Sequence, residues 1–374
     1  MIAVDRRFLR NFDWFFFALV IAVCLLGLQN LYSASVQTGL FTFKRQVVWF
    51  VLGAFASFSV SLIDYRVLER YAHHLYVLCM FFLLAVLFVG KEVAGSTSWI
   101  SIGGAVSIQP SEFAKIAVVL ALARFYNSDY EGGPYSLAEL IKPMAAVGVP
   151  VGLILLQPDL GTSLMVLLIS ATIVLFMGVR IKSLLLLAVL IAGLCYPTWN
   201  YLLKDYQRER IMTFLDPSRD PLGAGYNAIQ SKVAVGSGGL LGKGFMQGSQ
   251  TQLRFIPEQQ TDFAFSVIAE EWGFIGAAFT VVLYFLLILW SLDAASRARD
   301  KFSGVVCIGV AAMFFWHTVV NVGMVTGLLP VAGVPLLLFS YGGSSFLSAM
   351  IAVGLVLGVK VNRFRASGDT IEHA

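Results

Sequence analysis

The chain has 374 residues, 58% of them hydrophobic and only 13% charged, with a net charge of +4 and a mean hydropathy of +0.80. That much apolar surface cannot be hidden in one soluble core, so composition excludes a soluble globular protein and predicts an integral membrane protein. Strand-like alternation is absent, which excludes a β-barrel, and the lack of a basic stripe with interleaved aromatics argues against a nucleic-acid partner.

Near-continuous runs of Leu, Val, Ile, Phe and Ala recur at about the 20 residues a helix needs to cross roughly 30 Å of hydrocarbon. They predict an all-α membrane protein of ten transmembrane helices, near 14–33, 46–63, 72–90, 110–126, 144–157, 160–178, 183–203, 262–290, 303–327 and 341–359. The whole chain, 1–374, reads as one polytopic membrane domain. The first run follows Arg6, Arg7 and Arg10 and precedes Ser33, Ala34 and Ser35, as in a signal peptide. Its length and the nine runs behind it favour a retained helix.

Fifteen of the 26 Lys and Arg residues fall at the N-terminus, the even-numbered connections and the C-terminus. The short opposite connections carry only Lys44, Arg45 and Lys91. Both termini are therefore predicted to be cytoplasmic. Trp14, Trp49, Trp99 and Trp199 lie near span ends, where indole rings favour the headgroup layer. Cys24, Cys79, Cys195 and Cys307 fall in or beside spans without metal-like spacing and read as small apolar packers.

One connection is long. Residues 204–261 form a large extracytoplasmic loop between the seventh and eighth spans, and loops of that length are usually functional. Val233, Ala234 and Val235 indicate that part of it dips into the membrane edge, which requires a protein cover. The run Gly236 to Gly244 imitates a phosphate loop, but Ser237 and Gly244 stand where that motif needs Gly and Ser or Thr. Its glycines serve either a plain turn or a close approach of backbone to substrate or another helix.

Charges inside or at the head of apolar runs are costly and mark functional sites. Glu112 and Lys115 are three apart, so they share one helix face in the first turns of the fourth span. Asp159 sits in the tight outer turn between the fifth and sixth spans, and Asp262 opens the eighth span from outside. Each alone could be a capping or paired charge; together they place four charged groups in one outer layer. Glu270 and Glu271 lie about 12 Å deeper at the helical rise, as partners of a cation or as the floor of the same cavity. His317 and Asn321, four apart on the ninth span, are expected to satisfy each other or nearby backbone.

Several long stretches carry a family resemblance: QPSEFAKIA at 109–117, QPDLGTSL at 157–164, YQRERI at 206–211, DPLGAGYNAIQSK at 220–232, GSGGLLGKG at 236–244, FIPEQQTDFAFSVIAEEWG at 255–273 and GVPLLLFSYGGSS at 333–345. On these the chain resembles the SEDS family (shape, elongation, division and sporulation) over nearly its full length. The wording of 220–262 is closer to its rod-shape branch than to its division branch. Two positions depart from the family's usual pattern: Leu337 replaces a proline, and Gln260 stands where His is frequent.

The resemblance implies a ten-span peptidoglycan glycosyltransferase of the bacterial inner membrane. It would polymerise lipid II on the outer face, working with a class B penicillin-binding protein and the elongation machinery. It marks Asp262 as the catalytic acid-base residue and places Glu112, Lys115, Asp159, Arg208 and Arg210 in motifs that line or border the substrate cavity. Such a transfer needs a base for the acceptor hydroxyl and charge compensation for a diphosphate leaving group, not a second acid. A divalent cation, Mg2+ or Mn2+, would suit the diphosphate, although the acids show no diagnostic metal spacing. A lipid II flippase and a non-catalytic scaffold for the penicillin-binding protein are the competing readings; small residues such as Gly276, Ala277 and Ala278, or Gly304, Gly309, Ala311 and Ala312, would seat a partner's span or pack internally.

Overall fold

The computed structural model describes residues 12–93, 96–102, 106–129, 133–202, 208, 212–214, 216 and 224–368. In chain order the first helices are α1 (Trp14–Ser35), α2 (Phe41–Ser61), α3 (Tyr65–Val89), α4 (Pro110–Ser128), α5 (Leu137–Leu156), α6 (Leu160–Met177) and α7 (Ile181–Pro197). They are followed by α8 (Ala224–Gly238), α9 (Ala264–Ser296), α10 (Lys301–Thr326) and α11 (Gly343–Gly368). Each predicted span overlaps one of these helices, and α8 is additional. Among the described residues seven helices, α1, α3, α5, α6, α9, α10 and α11, are long and apolar enough to cross a membrane, which makes this a multi-pass membrane protein.

Helix starts follow from capping chemistry. Asp13, Asp64, Asp159 and Asp300 each accept a backbone N–H in the first turn of α1, α3, α6 and α10. Pro110 opens α4, where a missing N–H costs nothing. The bundle is centred on α10 and α11: 72% and 78% of their most apolar 18-residue windows are buried, against 22% for α3 at the rim. Gly309, Ala311 and Ala312 are buried in that centre, so internal packing accounts for them. Cys24, Cys79 and Cys307 are buried free thiols, and the side chain of Cys195 lies outside the described ones.

The all-α expectation needs one correction. Residues 91–108 contain a small antiparallel sheet of β1 (Lys91–Val93), β2 (Ser96–Ile102) and β3 (Val106–Ile108) in that order. Ile100 pairs with Ile108 and Ser101 with Ser107. The two-residue period sends Ile100 and Ile108 into an apolar groove against α3 and α4, while Trp99 and Ser107 line a polar cavity on the other face.

The long connection also has structure of its own. Helix α8 packs on α9 and α10, with Ala234 fully buried and Ser231 Oγ donating to the Val325 carbonyl at 2.8 Å. That face of α8 is thus covered by protein. The glycine run after α8 approaches α9 so closely that a Cβ on Gly242 would stand 2.1 Å from the Glu271 carbonyl oxygen. Lys243 and Gly244 donate their N–H groups to the Glu270 and Glu271 carbonyls at 3.1 and 3.0 Å. Helix α9 kinks at Gly273 (φ +64°) where Phe274 N–H reaches the Gly239 carbonyl at 2.8 Å. Of the two roles open to these glycines, the close approach is the one realised, and its partner is a helix.

Candidate active site

A cavity of about 670 Å³ lies at the end of the bundle where α2, α4, α6, α9 and α11 begin. Glu112, Lys115, Asp159 and Asp262 all line it. Four charged groups from three separated stretches of sequence therefore share one chamber at one end of the bundle.

Glu112 and Lys115 sit in the first two turns of α4, almost completely buried. Lys115 Nζ donates to Glu112 Oε2 at 2.8 Å and lies 3.1 Å from His317 Nε2. Ser348 Oγ of α11 reaches the same Glu112 oxygen at 3.4 Å. Two ions this deep need both mutual attraction and further hydrogen bonds to offset desolvation, and the site supplies both. Asp159 combines its capping and cavity roles: Oδ1 accepts the Thr162 N–H at 3.0 Å, while Oδ2 accepts Gln109 Nε2 at 3.0 Å. Gln109 precedes α4, so this bond ties the α6 turn to the Glu112–Lys115 helix.

Asp262 stands one residue before Phe263, the N-cap of α9, half-buried in the cavity wall. Its position is fixed through backbone. Asn321 Nδ2 of α10 donates to the Asp262 carbonyl at 2.7 Å and to the Val334 carbonyl at 2.8 Å. The turn before it is held by Gln260, whose Nε2 donates to the Ala34 carbonyl at 3.1 Å and whose carbonyl accepts the Tyr341 N–H at 2.8 Å. Gln260 thus fills a structural role where the family frequently has His. The loop that faces the acid is equally anchored: Tyr284 donates its hydroxyl to the carbonyl of buried Leu337, and Leu336 N–H reaches Ser340 Oγ at 3.1 Å. These bonds hold the turn that carries Leu337 in place of proline. A Cβ on Gly333 would lie 3.6 Å from Asp262 Oδ2, so the carboxylate passes close over a bare stretch of backbone.

The other sequence candidates fall elsewhere. Arg208 donates through Nη2 to the Asn200 carbonyl at 2.8 Å and is not among the residues lining the cavity. Arg210 lies outside the described residues. Glu270 is the partner of a cation and not a cavity floor. Its Oε1 accepts Lys243 Nζ at 2.7 Å and the Gln250 N–H at 2.9 Å, and its Oε2 accepts the Thr251 N–H and hydroxyl at 3.0 and 2.9 Å. Glu271 accepts the Ser33 hydroxyl. His317 and Asn321 do satisfy backbone carbonyls, but they do not bond each other.

Several lining residues carried no functional assignment from sequence. Arg45, Val48, Trp49 and Leu52 of α2 all face the chamber. Their spacing of three, four and seven is that of one helix face, a signal visible in the sequence but overridden by reading Arg45 as an orientation charge and Trp49 as an anchor. Trp99, read as an interfacial anchor, lines the cavity as well, together with Glu258 and Tyr341. For His317 the sequence offered only Asn321 or backbone as partners, because Lys115 lies 202 residues away along the chain. Among the described residues there is no group of three or more His, Cys, Asp and Glu able to hold a metal ion.

The chain was then compared with known proteins. The FtsW, RodA and SpoVE family model, described as "cell cycle protein", matches residues 12–365. The chain is 41% identical over 345 residues to the peptidoglycan glycosyltransferase MrdB of Escherichia coli K12, covering 92% of each chain. It is 34% identical over 440 residues to the peptidoglycan glycosyltransferase RodA of Treponema pallidum, covering 96% of this chain and 99% of that one. Its fold matches a chain of a peptidoglycan synthase complex studied for its coordination of polymerization and crosslinking, with a TM-score of 0.81, 35% identity and coverage of 95% and 99%. It also matches the rod shape determining protein RodA of Thermus thermophilus, with a TM-score of 0.71, 31% identity and coverage of 94% and 98%. With motifs in family order, a shared fold and a model match spanning nearly all of its length, the chain belongs to the FtsW/RodA/SpoVE family.

Proposed function

We propose that the polar chamber is where this chain polymerises lipid II into glycan strands for cell elongation and shape. The chain is a peptidoglycan glycosyltransferase, as its named relatives are. The observation that carries the reading of the site is the meeting of Asp262 with a buried, hydrogen-bonded Lys115 in one cavity. Asp262 is the general base: it takes the proton of the acceptor sugar's 4-hydroxyl as that oxygen attacks the donor's anomeric carbon. The bond from that carbon to the lipid diphosphate breaks, and the diphosphate leaves with the electron pair. A single displacement turns an α-linked donor into a β-linked product.

Lys115, held by Glu112, and Arg45 on the α2 wall compensate the leaving group's charge. Asp159 and Gln109 shape the wall between them, and Trp49, Trp99 and Tyr341 offer flat surfaces to sugar rings. Were a divalent cation, Mg2+ or Mn2+, to accompany the diphosphate, Asp159 would be the residue to hold it and the ion would add charge compensation, leaving Asp262 to accept the proton.

The chamber faces the periplasm in this reading. All ten spans cross the inner membrane, both termini are cytoplasmic, and 204–261 is an extracytoplasmic loop of one membrane domain, 1–374. The support is the Lys and Arg distribution together with a cavity built at the end where α2, α4, α6, α9 and α11 start. A class B penicillin-binding protein crosslinks the product. Its single span fits the half-buried Gly276–Ala277–Ala278 strip of α9, which exposed Phe274, Ile275 and Phe279 border.

Vesicles with lipid II on the accessible face separate the activities. Reconstituted protein with its partner is expected to build glycan strands. Passage of lipid II across the bilayer with no strands formed would make the chain a transporter instead.

A further inference from the structure

His317 is a buried imidazole with both ring nitrogens engaged, and the family's chemistry as read above gives it no part. Its Nδ1 is 3.0 Å from the Pro335 carbonyl and its Nε2 is 3.1 Å from Lys115 Nζ. A carbonyl can only accept, so Nδ1 carries a proton. An ammonium can only donate, so Nε2 presents its lone pair. The geometry therefore fixes one neutral tautomer; an imidazolium would set two donors of like charge against each other.

The consequence falls on Lys115. Its ammonium has three N–H bonds. One goes to Glu112, on the same helix, and one to His317, on α10. Glu112 alone would leave the long, flexible side chain free to fold back along α4, because its sole tether would share its own helix. The second tether, from an element on the far side, fixes the direction of the third N–H. Lys115, Glu112 and His317 all line the cavity, so that direction bears on whatever anion occupies it.

We propose that His317 is a positioning residue that holds the Lys115 ammonium in place for the substrate's diphosphate. The proposal rests on the reading of Lys115 as the diphosphate's cationic partner. Pro335, in turn, belongs to the loop that faces Asp262, so His317 also sets the distance between the cation's helix and the acid's loop.

The test is a double-mutant cycle on binding of undecaprenyl diphosphate to the protein in nanodiscs. His317→Leu is expected to weaken binding about tenfold in the wild-type background, the scale of one charge-assisted hydrogen bond. In a Lys115→Met background the same change is expected to cost less than about twofold. His317→Gln keeps a donor for Pro335 and an acceptor for Lys115 and is expected to bind within about twofold of wild type.

Equal losses from His317→Leu in both backgrounds would overturn the proposal, because His317 would then not act through Lys115. So would full binding by His317→Leu alongside weakened binding by Lys115→Met, a result that leaves the reading of Lys115 intact. Unchanged binding by Lys115→Met would instead remove the reading on which the proposal stands. Should the Leu variant fail to fold, His317→Gln carries the test, and a tenfold loss there refutes it.

Discussion

Replacing Glu112 by Gln isolates the electrostatics of the chamber. The substitution keeps size and one carbonyl acceptor but leaves Lys115, 1% exposed, without its counter-ion. At the observed 2.8 Å separation, an effective dielectric of about 20 gives a gross attraction of about 6 kcal/mol. The amide oxygen still accepts a charge-assisted bond from Nζ, so only the ion–ion part of the attraction goes and about 3 kcal/mol should be lost. That value sits at the lower end of the 3–5 kcal/mol typical of breaking a buried pair. Reversible unfolding in mixed micelles measures it. Lys115→Met strands the carboxylate and should cost a similar amount, whereas the double variant Glu112→Gln/Lys115→Met should lose clearly less than the sum of the two. Single losses under about 1 kcal/mol, or a double variant that loses the full sum, would refute the view of this pair as a desolvated ion pair.

Three further outcomes follow from the geometry. Glu270→Gln turns an amide NH2 toward one of the donors that Glu270 now accepts from and removes the charge facing Lys243; a destabilisation of about 3 kcal/mol and faster proteolysis of the segment 239–253 are expected, and unchanged protease resistance would contradict its role as the anchor of that loop. Arg208→Ala should leave polymerisation within about twofold of wild type, since the residue bonds the Asn200 carbonyl outside the chamber; a tenfold loss in a turnover assay would place it back at the substrate. Chelation of divalent cations should slow polymerisation at fixed lipid II without changing the melting temperature of the free protein, because among the described residues no resident metal cluster exists; a drop in melting temperature on chelation would reveal a structural ion.

Hydropathy carried most of the architecture because a helix in lipid must satisfy its backbone internally, so the seven longest apolar helices among the described residues announce themselves by length and apolarity. Glu112 and Lys115 were legible as a pair because i,i+3 spacing is a local property, and Asp262 because an acid at the head of an apolar run needs a reason. The sheet escaped because β1 and β3 are three residues each, too short for a two-residue period to register. Glu270 could not be assigned because its cation, Lys243, is brought to it by a loop whose path depends on the kink at Gly273. The tie between Lys115 and His317 is tertiary, made where α4 meets α10. Local patterns find the charged groups; the chain's path alone reveals what holds them.

In the proposed mechanism the Asp262 carboxylate accepts a proton in the chamber. Polymerisation of lipid II by the purified protein with its cognate transpeptidase, comparing wild type with Asp262→Asn, tests it most directly. Loss of general-base assistance predicts a fall of about 100-fold or more in a variant that still folds, its residue 262 backbone held by Asn321 as before. A folded Asp262→Asn protein that makes glycan strands at the wild-type rate would contradict it.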